Sequence, residues 1–140
     1  MQLRTEILIA ADPAKVWKVL TDFPAYHEWN PFIVSISGNP KVGETLQVAI
    51  SPPEKSEMRF KPRVLRAEPN SELRWRGVLW FGWLFAGEHF FQLSETQDGH
   101  TRFLHGEDFS GVLVRAVPMT QTARGFVFMN QALKRRVEAG

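Results

Sequence analysis

Val16-Trp17-Lys18-Val19-Leu20-Thr21-Asp22-Phe23-Pro24-Ala25-Tyr26-His27-Glu28-Trp29-Asn30-Pro31-Phe32 is the stretch that orients the rest of the chain. Just ahead of it, Asp12-Pro13 supplies a helix N-cap and a proline at the first helical position, where its missing N–H costs nothing. Val16, Val19, Leu20 and Phe23 follow at helical spacing and share one face. Pro24 ends or re-aims that helix, a second helical turn runs to Trp29, and Pro31 pushes Asn30 out of the α region. On the N-terminal side, Leu3, Thr5, Ile7 and Ile9 alternate with Arg4, Glu6 and Leu8, the period of a half-buried strand. The chain therefore opens as one strand followed by two short helices.

Beyond Phe32 the period stays at two. Strands are expected over 32–37 and 46–50, then at Met58, Phe60, Pro62 and Val64, and at Leu73, Trp75, Gly77 and Leu79. Two more follow at Gly87, His89, Phe91 and Leu93, and at Phe103, His105, Glu107 and Phe109. Each shows one apolar and one polar face, as an antiparallel sheet covered on one side requires. After Gly111 the period lengthens. Ala116, Met119, Ala123, Phe126, Asn130, Leu133 and Val137 form a helical stripe. Pro118 is tolerated only in a first turn, so the helix starts there and 111–117 is a looser lead-in.

Parity settles one hairpin. Inward residues on the two strands flanking Asp98-Gly99 are all odd-numbered, so facing pairs must have an even sum. A two-residue turn would give an odd sum and turn one strand inside out. A three-residue loop, Gln97-Asp98-Gly99 with Gly99 left-handed, satisfies it. The inward pairs are then Leu93–Phe103, Phe91–His105, His89–Glu107 and Gly87–Phe109, and the preceding hairpin sets Trp75 beside His89 and Gly77 beside Gly87.

With 44% hydrophobic and 23% charged residues over 140 positions, the composition is that of one globular domain, expected to span 1–140. Eleven Phe and five Trp are many for this length and suit a cavity wall as well as a core. The net charge of +2 is too small for a nucleic-acid partner. No apolar run reaches the roughly 20 residues of a membrane span, and the start lacks a signal-peptide core. Cys is absent, which excludes disulfides and thiolate chemistry, and a cytoplasmic location is expected.

The polar residues on the concave face carry the chemistry. His89, His105 and Glu107 sit among Trp75, Phe91 and Phe103, and ions on an oily wall need a reason. Three readings stand: an anchor for a ligand head group, a His–carboxylate pair for proton transfer, or a mutually satisfied structural pair near the open end. The spacing does not suit a metal, and no cofactor is expected. Asn130 interrupts the apolar helical stripe, so its amide either ties to the sheet or meets a ligand. Trp29 and Asn30 either cap the cavity or form a plain corner. Trp80-Phe81-Gly82-Trp83-Leu84-Phe85 is an apolar loop, read as a portal, a homodimer contact or a segment tucked under the last helix. Outward, Arg59, Lys61, Arg63, Arg74 and Arg76 make a solvated positive face, and Phe90 stands out as a candidate partner contact.

The opening motif, Ile36-Ser37-Gly38, Gly87-Glu88-His89, Phe109-Ser110-Gly111, Gly125-Phe126 and Met129-Asn130 together resemble the polyketide cyclase/dehydrase-like subgroup of the SRPBCC (START-related) superfamily. The resemblance implies an α+β helix-grip fold: a curved antiparallel sheet of about seven strands around a long C-terminal helix, with two short helices after the first strand. It implies a small hydrophobic or aromatic ligand, lipid-, polyketide- or quinone-like, held between sheet and helix. The expected contacts are Trp29, Phe60, Trp75, His89, Phe91, Phe103, His105, Glu107, Met119, Phe126 and Asn130. The alternatives are a cyclase or dehydratase using His89, His105 and Glu107, and a protein-binding helper domain.

Overall fold

The computed structural model describes residues 1–78 and 82–140. It opens with β1 (Gln2–Ile9), α1 (Pro13–Leu20), a 3₁₀ turn (Phe23–Ala25) and α2 (Tyr26–Trp29). The Asp12 carboxylate accepts the Lys15 amide at 2.9 Å and Pro13 follows it, so α1 starts as its capping chemistry dictates. Val16 and Leu20 are buried, and the Tyr26 hydroxyl donates to the Leu20 carbonyl, locking the two helical pieces together. Asn30 closes the segment: its Oδ1 accepts the amides of Phe32 at 3.0 Å and Ile33 at 2.8 Å. That makes 29–31 a structural corner.

Seven strands follow: β2 (Ile33–Ser37), β3 (Gln47–Ile50), β4 (Met58–Phe60), β5 (Arg63–Glu68), β6 (Glu72–Val78), β7 (Ala86–Glu95) and β8 (Thr101–Ser110). They form a five-stranded sheet, β1-β8-β7-β6-β5, and a three-stranded sheet, β2-β3-β4. The eight strands among the described residues exceed the seven expected because the strand through Met58 and Val64 is broken. Pro62 lacks the N–H that a continuous ladder needs. The pairing with the preceding segment nevertheless runs on: Val48 faces Phe60, Leu46 bonds Pro62 O, and Val64 bonds Glu44 O. The chain from Met58 to Glu68 thus crosses from the small sheet to the large one and bends the pair into a single trough.

Register follows the parity argument. Leu93 faces Phe103, Phe91 faces His105, His89 faces Glu107 and Gly87 faces Phe109, with Trp75 beside His89 and Gly77 beside Gly87. Gly99 takes φ 78°, and Thr96 bonds the carbonyl of His100. The expected strand end at Leu79 and the loop residues Trp80 and Phe81 lie outside the described residues.

A 3₁₀ turn (Val114–Ala116) leads to α3 (Met119–Ala139), which lies across the concave face against β1 and β8. Its buried residues are Thr122, Gly125, Phe126, Met129, Asn130, Ala132, Leu133 and Val137. Gly125 is required by a close approach: a Cβ there would stand 2.4 Å from the Phe32 ring. Among the described residues no helix is long and apolar enough to cross a membrane.

Phe90 is a correction. It points outward, yet it is buried, because its ring lies on Gly106 of β8 and under the Arg74 guanidinium, 4.6 Å from the ring centroid. Arg74 in turn pairs with Glu72 and Glu88. A ring so covered is not a partner contact.

Candidate functional site

Between the two sheets and the lead-in to α3 lies a cavity of about 210 Å³. Phe32, just ahead of β2, and Ile33, Val48, Ile50 and Phe60 of the small sheet wall one side; Trp75, Gly77, Gly87, His89, Glu107 and Phe109 of the large sheet wall the other, with Pro62 where the chain passes between them. Val117, Pro118 and Thr122 cover it from the helix end, and the exposed Met58, Val78 and Leu113 stand at its rim. Gly77 leaves one inward position of its strand bare, and the facing Gly87 makes room for the Glu107 carboxylate at the wall.

Nearly all of the lining is hydrocarbon. Its ionisable members among the described residues are His89 and Glu107, whose Nδ1 and Oε1 lie 3.1 Å apart. Trp75 stacks on His89 at 5.3 Å and 18°, fixing the imidazole plane. The Glu107 carboxylate folds over Gly87, where a Cβ would lie 2.2 Å from Oε2. This explains the glycine at that position.

Behind the wall the polar chain continues into the core. His89 Nε2 meets His105 Nε2 at 2.7 Å, and His105 Nδ1 meets Asn130 Oδ1 at 2.8 Å. Asn130 Nδ2 donates to Thr5 Oγ1 at 2.8 Å, and that hydroxyl donates to the His105 carbonyl at 2.9 Å. Phe126 stacks on His105 at 4.0 Å and 11°. Burial, with the His89 ring adjacent, holds the His105 pKa well below its ordinary value, so the ring is neutral.

The expected site residues therefore divide. Phe60, Trp75, His89 and Glu107 line the cavity. His105, Phe91, Phe103, Phe126 and Asn130 are buried and absent from that lining; His105 and Asn130 stand behind His89 as its support. Trp29 packs on Tyr26 at 5.1 Å and Met119 sits one residue past the lining Pro118; neither borders the cavity. Missing from the expectation were Phe32, Val48, Ile50, the two glycines and the helix lead-in. The facing Gly77–Gly87 pair was the available signal, because an empty pair on a concave face leaves space beside its neighbours.

A trough of two sheets gripping a C-terminal helix, with an apolar hollow beside it, defines the helix-grip class. The profile of the family described as polyketide cyclase / dehydrase and lipid transport matches residues 1–140, and the chain belongs to that family within the SRPBCC superfamily. Solved structures share the fold. A protein from Mesorhizobium loti is 21% identical with TM-score 0.77, covering 99% of this chain and 98% of that one. An aromatase/cyclase from a Streptomyces species is 13% identical with TM-score 0.78, covering 99% and 93%. A START superfamily protein from Mycobacterium smegmatis is 19% identical with TM-score 0.74, covering 99% and 97%. Comparison with curated proteins found no match.

Proposed function

We propose that residues 1–140 act as one helix-grip unit that binds a small, largely apolar or aromatic molecule in the cavity beside α3. The supporting observation is a hydrocarbon-lined hollow whose ionisable groups, among the described residues, are confined to the adjoining His89 and Glu107. Burial of apolar ligand surface supplies the affinity at about 25 cal/mol per Å², and the polar pair orients the guest. The volume of about 210 Å³ lies below the roughly 300 Å³ at which drug-sized pockets begin, which favours a guest of one or two rings.

Gly77→Val tests this reading. A Cβ at Gly77 meets its nearest neighbour, Pro62 Cβ, at an ordinary 3.7 Å, so a valine fits the strand and fills the hollow. Calorimetric titration with naphthalene derivatives is expected to show binding to the parent protein and at least tenfold weaker binding to Gly77→Val. Equal binding by the two proteins would place the guest elsewhere.

A second reading, a cyclase or dehydratase, draws support from the His89–Glu107 contact, which puts a transferable proton at the cavity wall. It requires that His89→Phe and Glu107→Leu abolish turnover of a polyketide-like carbonyl compound while binding persists. Retained turnover in both variants eliminates it.

A further inference from the structure

The relay behind the cavity assigns its own protons, starting from its far end. The Thr5 hydroxyl spends its single hydrogen on the His105 carbonyl, so towards Asn130 it can only accept. The Asn130 group facing Thr5 is therefore the amide NH₂, and its Oδ1 faces His105 Nδ1. That contact needs a hydrogen on Nδ1. His105 is wholly buried with no carboxylate against it, its neighbours being His89, Phe91, Phe103, Phe126 and Asn130. Neutral and protonated on Nδ1, it has a bare Nε2, and His89 Nε2 must be the donor across the 2.7 Å gap.

With one hydrogen of His89 so committed, the contact between its Nδ1 and Glu107 Oε1 holds one further proton, on the nitrogen or on the oxygen. In either position the pair is neutral overall, and that proton lies on the line between the two residues. The other oxygen, Glu107 Oε2, accepts no hydrogen bond from any described residue and lies over Gly87 at the cavity wall. It is an acceptor in both positions of the proton. The rest of the lining offers hydrocarbon, the Trp75 indole, whose N–H is a donor and not an acceptor, and Thr122, whose hydroxyl donates to the Pro118 carbonyl.

We infer that the cavity recognises a neutral aromatic or apolar molecule by a hydroxyl group, phenolic or enolic, which donates its hydrogen to Glu107 Oε2. A carboxylate brings a second acceptor against that oxygen and is rejected. A guest without a donor leaves the oxygen dry and unpaired, a penalty the hydroxyl removes. Thr5, on the far side of the relay, is a positioning residue: it sets the tautomer of His105 and, through it, that of His89.

The inference rests on the binding reading above, and matched probes separate the two. Naphthol, methylnaphthalene and naphthoate, substituted at the same ring position, are titrated calorimetrically into the parent protein and into Glu107→Leu. Naphthol is expected to bind about tenfold more tightly than methylnaphthalene in the parent, naphthoate most weakly, and the hydroxyl preference to vanish in Glu107→Leu. Methylnaphthalene matching naphthol in the parent, or a preference that survives Glu107→Leu, overturns the inference and leaves the binding reading intact. Failure of all three to bind overturns both. Nitrogen NMR of the imidazoles checks the relay itself in the unliganded protein: His105 protonated on Nδ1 alone supports it, and His105 protonated on Nε2 overturns it. In Thr5→Val that tautomer preference is expected to be lost, and in Thr5→Ser restored; a Thr5→Val protein with His105 unchanged removes Thr5 from the scheme.

Discussion

Replacing Gly125 by alanine sets two opposed effects against each other. In the interior of a helix as long as α3, which runs from Met119 to Ala139, glycine to alanine ordinarily stabilises by about 1 kcal/mol. Here the new Cβ would stand 2.4 Å from Phe32 Cδ1 and 2.6 Å from Cε1. Carbon atoms rest at about 3.5–4.0 Å, so the ring must withdraw by roughly 1 Å or more. Phe126 already meets that ring edge-on at 5.4 Å between centroids, and the open direction is the cavity that Phe32 lines. Overpacking of this kind costs about 1–3 kcal/mol, which outweighs the propensity gain. Gly125→Ala is expected to lose about 1 kcal/mol in urea unfolding at unchanged slope, and to bind naphthol several-fold more weakly as Phe32 intrudes. A variant stabilised by about 1 kcal/mol with full affinity would refute the packing argument, because it would mean that only helix propensity had changed.

Acidity supplies a second prediction. Unfolded, the His105 imidazole takes up a proton below its ordinary value of 6.5, whereas the buried ring stays neutral well below it. The unfolded state then binds more protons than the folded one, so this residue's share of stability is intact above pH 6.5 and falls on acidification, by at most about 1.4 kcal/mol per pH unit. Unfolding free energies between pH 7 and 5 should show a shallower acid slope in His105→Gln than in the parent; equal slopes contradict the buried neutral ring. Phe90→Ala should cost about 3 kcal/mol by thermal or urea unfolding, as for a core ring, although the residue points outward. A loss under about 1 kcal/mol would mean that the Arg74 cover is ineffective.

Facing was legible in the chain and depth was not. Odd-numbered alternation on either side of Asp98-Gly99 set the register of β7 on β8, and the same parity carried to β6, because a slip of one residue would expose every inward ring. Alternation says which side of a sheet a residue takes, but not what stands opposite it along the strand. His105 and Glu107 point the same way from β8, two residues apart. One meets Phe126 and Asn130 of α3, and the other meets the cavity, since the helix covers only part of the trough. Where α3 crosses depends on a close approach at Gly125, a contact with Phe32 that is distant in sequence. Phe90 was misread for a related reason: Gly106 beside it leaves a socket on the outer face, visible once the register is combined with the missing side chain. The strand through Pro62 was expected to be continuous; the missing N–H that breaks it was in the sequence, but its consequence was not. The chain there passes from one sheet to the other.

The most direct test of the cavity as a binding site is a crystal structure of the protein with a brominated naphthol, located by the anomalous signal of the halogen. The account predicts one halogen peak within the hollow bounded by Trp75, Gly77 and Gly87, with the naphthol oxygen at hydrogen-bonding distance from Glu107 Oε2. An empty hollow at saturating probe, or a naphthol bound with its oxygen turned away from Glu107, would contradict it.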